Sequence, residues 1–519
     1  MKLLEPVDLL YNIRVGQSAL VGGLDPTMQN IPYWNCGFAE GQPTAFWHSG
    51  AWDRCHDVPR AIHGLSMAEE VTGERVSATV MGDLSHHLFG LFDEADGLPG
   101  CASDDTGERF IHLHNIREAT HALTHLIRRG DGRATYWAER MVGALRRSLD
   151  DAGRIHLERL PKYVEGPYNH QPAEEGRAVD AMVRYYRVTG SLAALEVASL
   201  ASRFALENCF TDEGVLTEEA GRHGHSINAL VAGMLDLALL TDDAKLLLRA
   251  KAVYDRGLPR FNSSFGWSME SLDSFVPRGE SNNTGDLLRA SLLLGHAGFP
   301  EYFERAERIL RSHLLPSQVT DVDGFSDDPN AKEDRLRSLA SRIKGGWSLP
   351  TPNDLLTFMP DGRITTYDIT SGAVDALCEA WRSIITESEE GIRVNLLLSC
   401  ARKEVRVKSS LSGEGRVEIE NASGRNLLVR VPSWAASDVR LRVDGHDRPF
   451  NLRGAYLPVA GSVGRQRITM TFPLMEARTV ESVCFQRYTI DWRGDQITAM
   501  SPPGKHLPMF PEAKPAAPE

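Results

Sequence analysis

Residues 175–190 read EGRAVDAMVRYYRVTG. Ala178, Met182 and Tyr185 recur at helical spacing, which predicts a helix with one buried stripe. This helix runs out at the small-residue turn Thr189-Gly190, and a second helix-like stretch follows. The same arrangement of helix, small-residue turn and helix occurs four more times, with turns at Thr72-Gly73, Gly130-Asp131-Gly132, Thr241-Asp242 and Gly298.

The five turns are regularly spaced along the chain. Steps of 57, 60, 52 and 56 residues separate Gly73, Gly130, Gly190, Asp242 and Gly298. A repeat of this length is one antiparallel pair of helices plus a connecting loop. A sixth pair is expected to end near Glu387, after an insertion at 316–366 that we interpret as a functional loop over a cavity. Six such pairs closing on themselves form an (α/α)6 toroid, whose inner helices converge on a central cavity.

Changes in periodicity divide the chain into four parts. Residues 1–55 are predicted to be a loop-rich segment packed on the barrel, and 56–390 to be the toroid. Residues 391–500 switch to strand-like alternation, which predicts a β-sandwich. The Pro-rich tail 501–519 is expected to be only partly ordered. The predicted fold class is mainly α with a β domain: an (α/α)6 toroid followed by a C-terminal β-sandwich.

Composition and charge narrow the classes of partner. The net charge is −13 and no basic stripe stands out, which argues against nucleic acid or an anionic membrane surface. No apolar run approaches the ~20 residues that span a bilayer, and the first residues lack the long apolar centre of a secretory signal. These features predict a cytoplasmic protein with no membrane partner.

The seven cysteines are scattered and never form a CxxC pair. This usage predicts reduced, mostly buried thiols. It also argues against a structural zinc site built on cysteines.

Polar residues just before the inner helices are the first candidates for a site, because loops at one end of a helical toroid build its cavity. The segment YNHQPAEE at 168–175 comes first. Tyr168 and His170 could contact a substrate. The alternative is a capped helix start, with Pro172 in the first turn and acids that complement the helix dipole.

A second segment, RHGHS at 222–226, places two histidines around one glycine. Such a pair could bind a metal, but no acid or cysteine lies at ligand spacing nearby. The sequence therefore favours His223 and His225 as residues that bind sugar hydroxyls or orient a carboxylate. A purely structural role is the remaining alternative.

Trp267 lies in the third segment, SSFGWSME at 263–270. An indole face complements the axial C–H groups of a pyranose, so Trp267 is a candidate stacking platform. Packing in the core is an equally weighted alternative.

The densest polar cluster, RGESNNTGD at 278–286, precedes an apolar run. Capping a helix needs one of these residues, not five. We therefore take Glu280 as the leading acid, and Asn282 and Asn283 as candidate ligands of sugar hydroxyls. Asp286 is better explained as an acid in the first turn of the helix.

The last segment, TTYDITSG at 365–372, precedes the final inner helix. Asp368 or Tyr367 would face Glu280 across a closed toroid. Two carboxylates on opposite sides of a cavity are what glycoside hydrolysis requires, with one donating a proton and the other activating water or attacking the anomeric carbon. A separation of about 5–5.5 Å predicts retention, and about 6.5–9.5 Å inversion.

A further patch opens the helix at 114–129 with His112, His114 and Arg117. Arg117 could recognise the carboxylate of a uronic acid. A solvated helix charge is the somewhat better supported alternative for Arg117.

The toroid is followed by LVRVPSW at 428–434, VDG at 443–445 and GAYL at 454–457. In this order and spacing, the motifs resemble the β-L-arabinofuranosidase family of glycoside hydrolases. The resemblance covers most of residues 55–480. It implies an (α/α)6 barrel with β-sandwich domains. Related six-hairpin families include β-glucuronidases, uronyl hydrolases, lyases and epimerases.

The resemblance also implies a site, and this chain departs from it. Members of the family bind zinc through a glutamate, a cysteine two residues later and a vicinal cysteine pair, one of which is the nucleophile. Glu280 matches that glutamate, but Asn282 stands in the first cysteine's place and Tyr367-Asp368 in place of the pair. Glu270 is the nearest match to the family's acid/base glutamate.

These observations predict an exo-acting glycoside hydrolase that removes a terminal sugar, arabinofuranoside-like or a uronic acid, from an oligosaccharide or small glycoside. Glu280 and Asp368 are the expected acid/base pair, with Tyr367 as an alternative nucleophile and no metal or other cofactor. A lyase or epimerase on the same toroid and an inactive sugar-binding protein are the alternatives. The expected partner is a carbohydrate, and a homodimer is left open.

Overall fold

A computed structural model describes most of the chain. The described residues are 7–102, 107–159, 172–274, 276–357, 363–411, 413–435 and 437–514. Twelve helices of at least nine residues lie within them and are numbered here in chain order: α1 (Leu9–Gly22), α2 (Val58–Thr72), α3 (Ala78–Phe89), α4 (Leu113–Arg128), α5 (Gly132–Ser148), α6 (Ala178–Thr189), α7 (Leu192–Cys209), α8 (Gly224–Thr241), α9 (Ala244–Arg256), α10 (Ser281–His296), α11 (Glu301–Ile309) and α12 (Tyr367–Ile384).

The even-numbered helices form a closed inner ring. Each packs against the next even-numbered helix, and α12 packs against α2. The odd-numbered helices pack outside them, and the predicted (α/α)6 toroid is confirmed. All five predicted turns contain a residue with positive φ, at Gly73, Gly130, Gly190, Asp242 and Gly298. A left-handed residue after the last helical turn stops a helix, so these residues set the repeat.

The sixth outer helix comes from the start of the chain, where the sequence suggested a loop-rich segment. Helix α1 packs against α12 and α2. The Asp8 carboxylate caps it by accepting hydrogen bonds from the backbone N–H groups of Leu10 and Tyr11. A Cβ at Gly16 would lie 2.7 Å from Val374 of α12, so this glycine permits the close approach of the two helices.

Helix α8 is the most apolar of the inner helices. By length and composition alone it could cross a bilayer, but 83% of its apolar window is buried inside the protein. It lies between α6 and α10, so its apolar character is explained by burial in the ring.

A sandwich of two sheets follows the toroid, as predicted. The first sheet has six antiparallel strands, in the spatial order Cys400–Arg402, Val405–Ser410, Gly415–Asn421, Gln466–Phe472, Arg440–Val443 and His446–Asp447. The second has four strands, in the order Tyr456–Val459, Leu427–Arg430, Gly391–Val394 and Ile385–Ser388. Inward positions such as Val417, Ile419, Ile468 and Met470 are buried.

Two three-stranded sheets and two strand pairs complete the described strands. A C-terminal sheet contains Glu476–Val483, Gln486–Arg493 and Gln496–Ser501. An N-terminal sheet contains Gln42–Trp47, Asn35–Ala39 and Arg363–Thr366, and two-stranded pairings join Leu24–Asp25 to Ile31–Pro32 and Cys101–Ala102 to Arg109–Phe110. The N-terminal sheet holds the loop before α12 against the start of the chain.

Residues 501–514, the described part of the tail, are packed against the rest of the chain. The Asp354 carboxylate accepts hydrogen bonds from the backbone N–H groups of Lys505, His506 and Leu507. Phe510 is buried in the same cluster as the C-terminal sheet.

The prediction of reduced thiols is wrong for one pair of cysteines. Cys55 and Cys101 form a disulfide that spans 46 residues of sequence. It ties the turn before α2 to the strand pair before α4. No sequence spacing marks this pair, because the fold alone brings the two segments together.

Candidate active site

A cavity of about 240 Å³ opens at the end of the toroid where the inner helices begin. It is lined by Trp34, Trp52, His56, His112, His114, His223, His225, Glu270, Arg278, Glu280, Leu349, Thr366, Asp368 and Ile369. Four of these residues directly precede an inner helix: His112 before α4, His223 before α8, Glu280 before α10 and Thr366 before α12. Helix starts carry unsatisfied N–H groups and positive dipole ends, which suit acids and sugar oxygens.

Among the acids that line the cavity, Glu280 has the least compensated environment. Its residue is 8% exposed, and its Oε2 atom has no hydrogen-bond partner in the described part of the chain. Burial, followed by repulsion from Glu270, raises the pKa of Glu280 to about 7. A carboxyl group with this pKa holds a proton near neutral pH, as a general acid requires.

Asp368, in the first turn of α12, lines the same cavity but is in the opposite protonation state. Its Oδ2 lies 3.4 Å from Nε2 of His56 and 3.8 Å from a guanidinium nitrogen of Arg60. Burial acts to raise the pKa of Asp368, but the His56 contact and the Arg60 charge bring it below its ordinary value. Asp368 therefore stays ionised where Glu280 is protonated.

Asn115 and the neighbouring disulfide hold the side chain of His56 in place. Its Nδ1 lies 2.9 Å from Oδ1 of Asn115, whose amide donates to the sulfur of Cys101 at 3.2 Å. His56 also follows Cys55 directly, so the disulfide fixes both sides of this contact. Sequence reasoning missed His56, although the Val58-Pro59 helix start next to it was a usable signal.

Glu270 lies on the cavity wall beside Glu280 and is already paired. Its Oε2 is 2.6 Å from Nε of Arg278. The charge of Glu270 disfavours ionisation of Glu280. The geometry therefore gives Glu280, rather than Glu270, the environment of a proton donor.

Each of the two histidines of the RHGHS segment has a carboxylate oxygen close to one ring nitrogen. Nδ1 of His223 lies 3.1 Å from Oε1 of Glu174, and Nε2 of His225 lies 3.0 Å from Oδ2 of Asp286. Burial and then Arg177 hold the pKa of His225 well below its ordinary value. Glu174 and Asp286, read from the sequence as helix-start acids, instead lie beside site histidines.

A layer of buried ion pairs closes the cavity on the side that faces the interior of the toroid. His114 accepts hydrogen bonds at Nε2 from Arg60 and Arg177, at 3.2 and 2.9 Å. Arg117 lies in this layer and does not line the cavity. It contacts Glu118, Asp180 and Asp286 at 3.3, 3.3 and 3.0 Å, so the geometry gives it a structural role in place of uronate recognition.

Four other candidates lie away from the cavity lining. Trp267 is 1% exposed and donates from Nε1 to the Pro350 carbonyl at 2.9 Å, so the alternative of core packing applies. Tyr367 points away, and the pKa of its hydroxyl is raised well above the ordinary value by burial. Asn283 is fully buried and bonded to Asn228 and the Met269 carbonyl. Asn282 contacts Nδ1 of His225 at 3.3 Å from beneath.

The tryptophans that do line the cavity, Trp34 and Trp52, come from the N-terminal segment. Trp34 and Trp52 flank His56, with ring centroids 5.9 and 6.1 Å from it. The sequence analysis did not assign these tryptophans to the site. Tyr168 and His170, two predicted ligands, lie outside the described residues.

A larger cavity of about 330 Å³ lies at the opposite end of the toroid, where the inner helices end. Its arginines are already matched by acids. For example, Arg187 contacts Asp236 at 2.5 Å and Arg382 contacts Glu70 at 2.7 Å. The two acids among its described lining residues, Asp236 and Glu379, are both paired with arginines. We therefore place the candidate site in the smaller cavity, where Oε2 of Glu280 has no hydrogen-bond partner among the described residues.

The zinc site of the resembling family does not fit these residues. The amide of Asn282 offers no thiolate, and the hydroxyl of Tyr367 is buried outside the cavity lining. Of that ligand set only Glu280 carries over, and Asp368 stands where a cysteine would be. We therefore derive no chemistry from a cysteine-bound zinc ion.

The fold has known relatives among solved structures. A GH127 β-L-arabinofuranosidase from Geobacillus stearothermophilus T6 superposes with a TM-score of 0.58 at 12% identity, covering 95% of this chain and 81% of that one. A second GH127 β-arabinofuranosidase gives 0.59 at 14% identity, covering 93% and 78%. A structure described as a glycoside hydrolase gives 0.55 at 14%, covering 91% and 84%.

The chain has the fold of these glycoside hydrolases. At such low identity the likeness shows the fold and leaves the substrate open. No known protein-family profile matches the sequence, and no curated protein matches it either.

Proposed function

We propose that the protein is an exo-acting glycoside hydrolase that removes a terminal sugar from an oligosaccharide or small glycoside. One observation carries the proposal: Glu280 and Asp368 line a single cavity from two different inner helices, with their pKa values displaced in opposite directions. Two acids whose environments separate their proton affinities are the arrangement that glycoside hydrolysis uses.

In this proposal Glu280 donates its proton to the glycosidic oxygen as the bond to the leaving group breaks. Asp368, ionised and held by His56, attacks the anomeric carbon or removes a proton from the attacking water. His223 and His225 bind sugar hydroxyls, while Trp34 and Trp52 pack against the apolar face of a ring.

The shape of the cavity supports an exo mode of action. The ion-pair layer around Arg117 and Glu118 blocks the toroid axis below the site, so the cavity is blind. A blind cavity accepts the end of a glycan and excludes its interior. Arg278, the arginine among the described lining residues, is held by Glu270, which favours a neutral terminal sugar over a uronic acid.

The experiment is a panel of 4-nitrophenyl glycosides that covers both anomers of pentofuranosides, hexopyranosides and hexuronides. We expect at least one to be hydrolysed, and Glu280→Gln to lower kcat by about 100- to 10,000-fold. Glu175→Gln is the matched control, since burial also raises the pKa of Glu175 to about 7 but its carboxylate bonds to the Ile155 N–H outside the cavity.

Full activity of Glu280→Gln contradicts the assignment of the proton donor. If the protein binds sugars across a broad glycan panel but hydrolyses none, it is a binding protein and the proposal is wrong. An unsaturated or epimerised product, identified by NMR, would show that the protein is a lyase or an epimerase and not a hydrolase.

A further inference from the structure

The side chain of His56 belongs to a closed network of four residues beside the cavity. Nδ1 of His56 lies 2.9 Å from Oδ1 of Asn115, and the Asn115 amide N–H donates to the sulfur of Cys101 at 3.2 Å. Cys101 is bonded to Cys55, which directly precedes His56 in the chain. All four residues are buried, so these hydrogen bonds act in an interior of low dielectric constant.

The disulfide determines which way the Asn115 amide points. A disulfide sulfur carries no hydrogen, so it can only accept from the amide N–H group. The amide oxygen then faces His56, and because this oxygen also only accepts, Nδ1 of His56 must carry a proton. A reversed amide would place its oxygen against the disulfide sulfur, and a buried oxygen without a hydrogen bond is costly.

With Nδ1 protonated, the other ring nitrogen of His56 attracts a carboxylate only when the ring is cationic. Nε2 lies 3.4 Å from Oδ2 of Asp368. In the imidazolium this nitrogen carries the second proton and stabilises the ionised Asp368. In the neutral ring it presents a lone pair to that carboxylate, and the contact becomes repulsive. In the oxidised protein, the support of Asp368 therefore depends on the charge of His56.

A thiol at position 101 removes this constraint, because an S–H group can donate as well as accept. The Asn115 amide can then rotate by half a turn, so that its oxygen accepts from the thiol and its N–H donates to Nδ1 of His56. The single proton of a neutral imidazole moves to Nε2 and donates to Asp368. In the reduced protein, His56 therefore supports Asp368 in either charge state.

The charged and titratable groups that pack around His56 belong to three elements. They are Asp53, Asp57 and Arg60 in or just before α2, His114 and Glu118 in α4, and Asp368 in α12. Burial holds the pKa of His114 well below its ordinary value, so this ring stays neutral. None of these groups changes covalently when the disulfide is reduced. A comparison of the two oxidation states therefore isolates the effect of the disulfide and the amide.

We propose that Asn115 is a positioning residue that couples the oxidation state of the Cys55–Cys101 disulfide to the proton on His56, and through it to Asp368. This inference rests on the proposed function, because it concerns regulation of the same site. A dithiol reduces the bond by thiol–disulfide exchange: the S–S bond of the protein breaks, that of the reagent forms, and the two thiol hydrogens of the reagent end on the two cysteines. The oxidised enzyme then needs two protonated groups, Glu280 and His56, and the reduced enzyme needs Glu280.

The test is the pH dependence of kcat/KM for a hydrolysed glycoside, measured on oxidised protein and on protein kept in dithiothreitol. Free thiols are counted by alkylation and mass spectrometry. On the alkaline side, log(kcat/KM) should fall with a slope of about −2 for the oxidised protein and about −1 for the reduced protein. The double variant Cys55→Ser/Cys101→Ser carries hydroxyls that donate as thiols do. It should show the reduced slope without reductant, and it replaces the reduced protein if the bond resists dithiothreitol.

Asn115→Leu separates coupling from a merely structural role. Without the amide, the proton of a neutral His56 can occupy Nε2, so the slope should be about −1 in both oxidation states. The control Cys484→Ser removes a free thiol elsewhere and should keep the full difference between the oxidised and reduced forms. Melting curves confirm that each variant is folded at the assay temperature. Equal slopes for oxidised and reduced wild type, or a difference that persists in Asn115→Leu, overturn the proposal.

A second measurement is independent of turnover. NMR of protein with isotopically labelled histidine shows which ring nitrogen of His56 carries the proton, with His56→Gln assigning the signals. At alkaline pH we expect the proton on Nδ1 in the oxidised protein and on Nε2 in the reduced protein or the double variant. The same tautomer in both overturns the proposal. If the tautomer changes but no glycoside is hydrolysed, the coupling stands and the proposed function is wrong. If hydrolysis depends on Glu280 but the slopes are equal, the hydrolase stands and the coupling is wrong.

Discussion

Removing the proton donor should make this protein more stable at alkaline pH while it destroys activity. The pKa of Glu280 is raised from 4.5 to about 7, chiefly by burial and then by Glu270. Its contribution to stability is fully present below pH 4.5 and is lost as the pH rises through about 7, because the folded state resists ionisation of this group. A shift of about 2.5 units corresponds to about 3 kcal/mol at 1.36 kcal/mol per unit.

The perturbation is Glu280→Gln, which keeps the shape and removes the charge. We expect the melting temperature of the variant, relative to wild type, to rise between pH 4.5 and pH 8.5. Glu175→Gln should show the same rise, since its buried carboxyl also has a pKa of about 7.

The two variants then differ in activity alone. Glu280→Gln should lose turnover, whereas Glu175→Gln should retain it. A pH-independent difference in melting temperature between Glu280→Gln and wild type would falsify the view that this carboxyl is held protonated by its surroundings. A loss of turnover in both variants would instead show that activity follows a shared effect on the fold.

Three further predictions follow from the site and the fold. Asp368→Asn should lower kcat at least about 100-fold with unchanged circular dichroism, and retention of most of kcat would rule out a role for the charge. Trp52→Ala should raise KM with little change in kcat, as expected for a stacking surface, while an unchanged KM would show that the indole does not touch the substrate. Cys55→Ser should destabilise the protein by about 4 kcal/mol, the chain-entropy value for a 46-residue loop. The control Cys484→Ser removes a free thiol and should leave the melting temperature unchanged, so equal effects of the two would contradict the disulfide.

The periodic part of the fold was predictable from sequence because it rests on local signals. Small residues with positive φ end the helices at Gly73 and Gly190, and apolar residues between them recur at helical spacing. Helix α1 was not recognised as part of the toroid, because its role depends on contact with α12, which is the last helix of the toroid in the sequence. Local periodicity carries no information about such a distant partner.

The candidate site was predictable in part for a similar reason. Glu280 and Asp368 directly precede or open inner helices, so their place on the rim follows from the repeat. The sequence left Trp267 undecided between the core and the site, because an indole that packs in a core and one that stacks on a sugar look alike in sequence. The roles of Asp286 and Glu174 depend on cross-helix distances, which only the folded chain supplies.

The closure of the ring by α1 and α12 has a consequence for synthesis in the cell. One side of α1 packs against α2, but the side that packs against α12 has no lasting cover until residue 384 has been made. At about 5–20 residues per second, the interval between α1 and the end of α12 is roughly 20 to 70 seconds on the ribosome. A chaperone that binds the uncovered side of α1 during this interval should raise the yield of native protein.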